Sequence, residues 1–262
     1  MYGLAITSIS PTHVNGDVQF TATKSWENLG YLPVSLNHPS EIEILKDQYP
    51  HVRFVPTVRT MEGIFGKKYV SINAMMDYAK EQDFENILLI NSDIILEFSL
   101  AYNKLTAFRL TLCHDHIVVI KREDFSKDDR SDAKRYDFGM DGFMMHKKFL
   151  TIFPQSIYCM GQTWWDFWVP YTAIKNKIPI YLVREAMAFH KSHGTQYSAQ
   201  EWHRMTNYFQ WEQNMNLKER PDVTTGKIYH EIHNAFNRNN SQTPTHDNGP
   251  IPTNLPRRHR VA

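Results

Sequence analysis

Three side chains of this sequence stand where acid–base or metal chemistry could occur: Asp93, Asp166 and His190. Asp93 closes the triplet Asn91-Ser92-Asp93, which ends the apolar run Ile87-Leu88-Leu89-Ile90. A carboxylate at the end of a buried strand has lost hydration and needs a cation or hydrogen-bond donors beside it. A turn or helix cap is one answer to that need. The other is a ligand for Mg2+ or Mn2+ holding a diphosphate, because hard cations take carboxylate oxygen and leave positions for phosphate and water. Asp166 lies within Trp164-Trp165-Asp166-Phe167-Trp168, after Gly161-Gln162, and six of the fourteen residues 158–171 are aromatic. Apolar surroundings push a carboxyl pKa toward that of a useful general base, and flat rings pack against the C–H faces of sugars. The plainer reading is the start of a core helix capped by Asp166. His190 and His193 form a His-x-x-His pair without the Glu of a zinc-protease helix. A structural histidine is the ordinary case, yet imidazole also suits Mn2+ or Zn2+.

Weaker signals surround these. Asp141 and Gly142 occur in Asp137-Phe138-Gly139-Met140-Asp141-Gly142-Phe143, where a glycine either makes a tight turn or lets backbone approach a ligand. Gly63-Ile64-Phe65-Gly66-Lys67-Lys68 fails the phosphate-loop spacing, although Arg59, Lys67 and Lys68 could neutralise a diphosphate. In His114-Asp115-His116 neighbouring residues of a strand end point to opposite faces, which argues against a metal cluster.

The elements that must position these residues alternate between strand and helix. Strands are expected over 2–9, 32–36, 52–55 and 87–90, from short β-branched or apolar runs bounded by turn residues. Helices are expected after Asp17 (apolar face Val18, Ala22, Trp26, Leu29, with Gly30 beyond its end), after a Ser40/Glu43 capping box, and around Ile72, Met75, Met76 and Ala79. Such repetition demands right-handed crossovers and a mostly parallel sheet covered on both faces, with ligands at the carboxyl ends of the strands. The second half reads as strands at 116–121, 142–145, 180–183 and 186–189. A charged loop is expected over 124–135, a short helix over 147–152, and a helix over 165–177 that tolerates Pro170. A Ser198/Glu201 capping box opens a long helix with Trp202, Met205 and Phe209 inward. The segment 237–262 has five Asn, four Pro and a charge of +3, and reads as an extended or disordered basic tail; Arg257, Arg258, His259 and Arg260 with the Lys and Arg of 121–135 could meet phosphates.

Composition bounds the function. With 42% hydrophobic and 22% charged residues the chain is ordinary globular protein, and a net charge of +1 draws it to neither nucleic acid nor membrane. Two cysteines, Cys113 and Cys159, build no disulfide framework. The N-terminus lacks a signal-peptide pattern and no apolar run approaches a membrane span. A cytoplasmic protein without membrane association is the expectation.

Taken in order, these segments resemble the GT-A glycosyltransferases, nucleotide-sugar-dependent enzymes built on one open α/β sheet. The likeness covers roughly residues 2–210 and rests on 4–9 ending in small polar residues, 87–93 as the strand with a DxD-like metal motif, 141–143, and 161–166. The motif's first Asp is here Asn91. The resemblance implies a GT-A-like open, mostly parallel sheet with helices on both faces in one domain, 1–236, with a nucleotide half (1–96) and an acceptor half (97–236). It implies Asp166 as base, Asp93 and His190 as ligands for Mn2+ or Mg2+, and Thr7, Ser8, Asn37 and Arg59 around the nucleotide. Lys67 would face the diphosphate, and Ser92, Asp141, Gly142, Trp164 and Trp165 would line the substrates. The donor would be a nucleoside-diphosphate sugar, a UDP-sugar being favoured. The acceptor stays open among a glycan, a protein, a small molecule and a hydroxymethylated base in viral DNA. Two alternatives remain: a nucleotidyltransferase on a related sheet, against which the Ser10–Gly16 loop, lacking Lys and Arg, counts, and a non-catalytic carbohydrate-binding protein.

Overall fold

The computed structural model describes residues 2–13, 16–97, 114–183, 187–194 and 197–242; Cys113, the tail beyond 242 with Arg257, Arg258, His259 and Arg260, and the expected strand start at 186 lie outside these. The first half is the expected α/β alternation. Strands β1 (Gly3–Thr7), β2 (Tyr31–Asn37), β3 (Arg53–Pro56) and β4 (Asn86–Ile90) run parallel, joined through helices α1 (Gly16–Asn28), α2 (Pro39–Leu45), α3 (Glu62–Phe65) and α4 (Ile72–Lys80). Along β4, Ile87 and Leu89 enter one core cluster while Leu88 and Ile90 enter the other. That is why the strand is apolar throughout: both faces of a covered sheet are buried.

The second half adds β5 (Ile94–Leu96), β6 (Ile117–Phe125), β7 (Lys134–His146), β8 (Ile180–Leu182) and β9 (Ala188–Lys191), giving the order β3-β2-β1-β4-β7-β6-β9-β5 with β8 on β6. Strand β7 is antiparallel to both β4 and β6, and β9 pairs parallel with β6 and antiparallel with β5. Helices α5 (Trp165–Lys175), α6 (Ala199–Glu212) and α7 (Pro221–Gln242) complete the chain. The architecture is the expected open, mostly parallel α/β sheet of the Rossmann-like, GT-A type.

Several local expectations are corrected. The cap of α2 is His38, whose Nδ1 accepts the Ser40 N–H, so the Ser40/Glu43 box is not used. The Ser198/Glu201 box at α6 is complete. Residues 124–135 are not simply a loop, since β6 extends to Phe125 and β7 begins at Lys134, with its first five residues exposed. Of the basic side chains expected to be exposed over 121–135, Lys121 is buried, Arg122 is part-buried against Asp124 and Asp141, and Arg130 pairs with Glu97 at 2.8 Å. Residues 237–242 belong to α7, which packs Ala235 and Phe236 into the core. Pro170 sits past the first turn of α5, where its missing N–H leaves the Asp166 carbonyl without a helical partner.

The largest buried side chains are mostly aromatic. Trp26 is fully buried, and its Nε1 donates to the Ile94 carbonyl at 2.8 Å, tying α1 to β5 beside the Asn91–Asp93 turn. Removing this ring leaves a cavity as well as an unpaired carbonyl. Trp26→Ala is expected to lower unfolding stability by about 3–5 kcal/mol in chemical denaturation; a loss under about 1 kcal/mol would contradict this packing.

Candidate active site

The sheet register assembles the site. Pairing of β9 with β5 sets His190 opposite Ile94, and pairing with β6 sets His190 opposite Asp124. His190 therefore arrives beside Asp93 although the two are far apart in sequence. Its Nε2 lies 3.4 Å from Asp93 Oδ2, and its Nδ1 lies 3.0 Å from Asp124 Oδ1. Two further histidines converge on the same oxygen: His13 Nε2 at 3.2 Å and His193 Nε2 at 3.3 Å. His193 was legible only as half of a His-x-x-His pair. His13 was missed, because it lies in a loop with no local signal. That loop is held by Gln19, whose amide reaches both Ser92 Oγ and the Ser10 backbone at 3.0 Å in its satisfied orientation.

Behind the histidines, Arg122 and Asp124 share one face of β6 because they are two residues apart. Arg122 Nε donates to Asp124 Oδ1 at 2.8 Å, and another of its guanidinium nitrogens donates to Asp141 Oδ1 at 2.9 Å. Asn91 Nδ2 donates to the same Asp141 oxygen at 2.8 Å. Burial opposes the charge on Arg122, but Asp141, Asp124 and Asp93 outweigh it and raise its pKa. Burial alone would raise the Asp93 carboxyl; hydrogen bonds from His13, His190 and His193 hold it well below its usual range. Burial likewise disfavours the His190 imidazolium, yet Asp124 and Asp93 raise its pKa to about 9.

Asp166 behaves oppositely. It follows Trp164, whose φ of 78° is left-handed, a conformation that costs a side-chain-bearing residue about 1–2 kcal/mol. This bend sets Asp166 in the first turn of α5. Burial, and then the Asp141 charge, raise its pKa to about 7, against the smaller opposing effect of Arg122. Asp166 also acts on Tyr136 and Tyr197, rings 42% and 36% exposed. One electrostatic network thus runs from Asp93 through Arg122 and Asp141 to Asp166.

The other expected residues fall into two groups. Thr7, Ser8 and Asn37 cluster at the carboxyl ends of β1 and β2. Asn37 Nδ2 donates to the Ile9 carbonyl at 2.8 Å and approaches Ser8 Oγ at 3.5 Å, and buried Thr7 Oγ1 has no hydrogen-bond partner among the described residues. Ser92 is buried against Gln19, next to Asp93. The rest are placed otherwise than expected. Trp164 and Trp165 are 1% and 2% exposed and pack on Phe209 and Phe143, so neither ring offers a face to a sugar. Gly142 faces Ile120 and Ile90, which close over the space a Cβ would take. Arg59 pairs with Asp77 at 2.6 Å and Lys67 with Tyr69 at 3.1 Å, both on the exterior. His114 and His116 diverge, toward His146 and Tyr181 respectively.

His13, Asp93 and His193 offer ligand atoms that all lie within 4.8 Å of one another. Two imidazoles and a carboxylate suit a transition metal better than Mg2+, which demands oxygen ligands. His190, expected as a ligand, falls outside this group: its Nδ1 is taken by Asp124 and its Nε2 lies 3.1 Å from His193 Nε2, so it braces the ligands. The residues present therefore fit a divalent cation, with Mn2+ the better match of the two expected ions. Among the described residues no helix is long and apolar enough to cross a membrane.

No protein-family model matches the sequence, and no curated protein matches it. Among solved structures the chain is similar to a putative glucose-1-phosphate thymidylyltransferase from Bacillus anthracis in complex with a sucrose. The identity is 9%, covering 73% of this chain and 87% of that one, at a TM-score of 0.40. At that score the likeness carries no argument about activity.

Two outcomes test the site as drawn. Mn2+ is expected to raise the melting temperature, more than Mg2+ at equal concentration, through binding to the native state alone. His13→Ala and His193→Ala should each abolish the rise; unchanged shifts in both would dismiss the cation site. Arg122→Met, which leaves buried Asp141 and part-buried Asp124 without their cation, should destabilise by about 1–3 kcal/mol in denaturant titrations; an unchanged midpoint would contradict the network.

Proposed function

We propose that this chain is a metal-assisted glycosyltransferase that moves a sugar from a nucleoside-diphosphate sugar, in the first instance a UDP-sugar, to an acceptor hydroxyl. The observation that carries the reading is Asp166, a carboxyl near pKa 7 on the same network as a His/Asp cation cluster at the sheet's carboxyl edge. A general base works best when its pKa lies near the operating pH, and the two sites sit where open α/β sheets bind ligands.

In this mechanism Asp166 takes the proton of the acceptor hydroxyl as its oxygen attacks the anomeric carbon. Burial, and then Asp141, keep Asp166 basic, while backbone hydrogen bonds and Arg122 act the other way. A divalent cation held by Asp93, His13 and His193 would neutralise the departing diphosphate. Ser8, half-buried after β1, would meet the nucleotide, with Thr7 and Asn37 fully buried behind it. Tyr136 and Tyr197, exposed and beside Asp166, would flank the acceptor; uncharged rings suit the C–H faces of a glycan. A glycan hydroxyl is thus the acceptor proposed, ahead of DNA, since Lys121 and Arg122 are turned inward.

The experiment is incubation with UDP-sugars and Mn2+, reading nucleotide products. A glycosyltransferase releases UDP, through transfer or slow hydrolysis, whereas a nucleotidyltransferase releases pyrophosphate and a carbohydrate-binding protein releases neither. Asp93→Ala and Asp166→Asn should each lower UDP release at least about a hundredfold, the usual scale of a positioned base; wild-type turnover by both folded variants would refute the reading. Release should rise with pH through about 7, where Asp166 loses its proton, and Asp166→Asn should lack that limb.

A stability signature follows from the same group. The native carboxyl keeps its proton up to about pH 7, while the unfolded one loses it near 3.8. Stability contributed by this site is present at low pH and declines as pH rises between these values. Asp166→Asn should therefore stabilise the protein at pH 8, by up to about 4 kcal/mol. A variant less stable than wild type there would contradict the burial of this charge.

A further inference from the structure

A groove of about 610 Å³ lies between the C-terminal ends of α5 and α6, away from the end of α5 that carries Asp166. The placement follows from α6 itself. Glu201 in its first turn meets Gln162, near the start of α5, while Trp211 near its end stands ten residues, about 15 Å, further along the axis. The groove is of the size that binds small ligands. Its most prominent wall is Trp211, with 64% of its surface in water. An indole so exposed is the feature of this face that solvent favours least. Its position is not slack, since Tyr208 braces it at 5.7 Å between ring centroids.

The polar part of the groove is amide-rich. Gln155, Asn176 and Gln213 line it together with Glu212. Glu212 Oε2 accepts from Tyr158 Oη and from Gln213 Nε2, both at 3.1 Å, which fixes the carboxylate and turns the Gln213 amide. Asn214, with a left-handed φ of 53°, bends the chain directly after α6 and so forms the end wall. Amides carry donors and acceptors together, the complement of a hydroxyl, and one flat ring beside them complements a sugar's C–H face. Lys175 is the one cation of the lining and Glu212 its one acid, so the groove carries no net positive charge to select a phosphate.

We propose that this groove is a second, non-catalytic binding site for a neutral oligosaccharide, with Trp211 as its stacking platform. It would hold a glycan on the molecule without taking part in its chemistry. The inference does not depend on the transferase reading, because its site shares no residue with Asp93 or Asp166.

The test is binding of the full-length protein, without nucleotide and with EDTA present, to an array of neutral oligosaccharides, followed by titration of the best glycan against tryptophan fluorescence. Wild type and Asp93→Ala should bind alike. Trp211→Ala should weaken binding by about tenfold or more, the scale of losing a central aromatic contact, and Trp211→Tyr should recover most of it. UDP release by Trp211→Ala on free UDP-sugar should match wild type. No binding to any glycan, or equal binding by Trp211→Ala, would overturn the proposal. So would Trp211-dependent self-association in sedimentation without glycan binding, which would make the groove an interface between copies. Loss of UDP release with glycan binding intact would instead count only against the catalytic reading.

Discussion

The buried guanidinium of Arg122 is the interaction on which the rest of the site depends. It is held between Asp124 on its own strand and Asp141 on the neighbouring one, and each carboxylate then has a second task. Asp124 fixes the ring of His190, which faces Asp93; Asp141 accepts from Asn91 and raises the pKa of Asp166. Without the cation, buried Asp141 and part-buried Asp124 would lose the partner they share, and strands β6 and β7 would carry an uncompensated charge. The two acids near Arg122 are set differently: hydrogen bonds from three histidines keep Asp93 ionised, while burial, aided by Asp141, holds the pKa of Asp166 at about 7.

That separation is what a transferase site needs, since one carboxylate must serve a cation and another must move a proton. Asn91 fits the same logic. Where the resembled family carries an Asp, an amide here donates to Asp141 at 2.8 Å; a carboxylate at 91 would repel it. The metal-motif change is thus matched by the network behind it, and the missing oxygen ligand is offset by two imidazoles, His13 and His193. The aromatic helix start contributes differently from the sequence-based expectation. Trp164 and Trp165 are buried in the core on Phe209 and Phe143 rather than open to stack on a sugar.

The first half of the fold was legible because a parallel sheet covered on both faces writes its strands as apolar runs, as in 87–90, and its helices as apolar faces, as in α4. The second half hides its strands. Strand β7 has five exposed residues before its buried stretch, and β6 shifts register against it beyond Ile120, so Asp124 reads as the start of a charged loop and Arg122 as an exposed cation before it. Asp93, Asp166 and His190 were legible from local context, since each ends or interrupts an apolar segment. His13 was not, because its partner is 80 residues away and nothing around it is patterned. Arg59 and Lys67 show the opposite error: basic side chains near the right strand that find partners on the surface instead.

The central proposal is that His13, His193 and Asp93 hold one cation. Electron–nuclear double resonance on the Mn2+-loaded protein addresses it most directly, because it counts the nitrogens bonded to the ion. The account predicts imidazole nitrogen couplings that weaken stepwise in His13→Gln and then in the double variant with His193→Gln. A spectrum of bound Mn2+ without nitrogen coupling, or one indifferent to both substitutions, would contradict it.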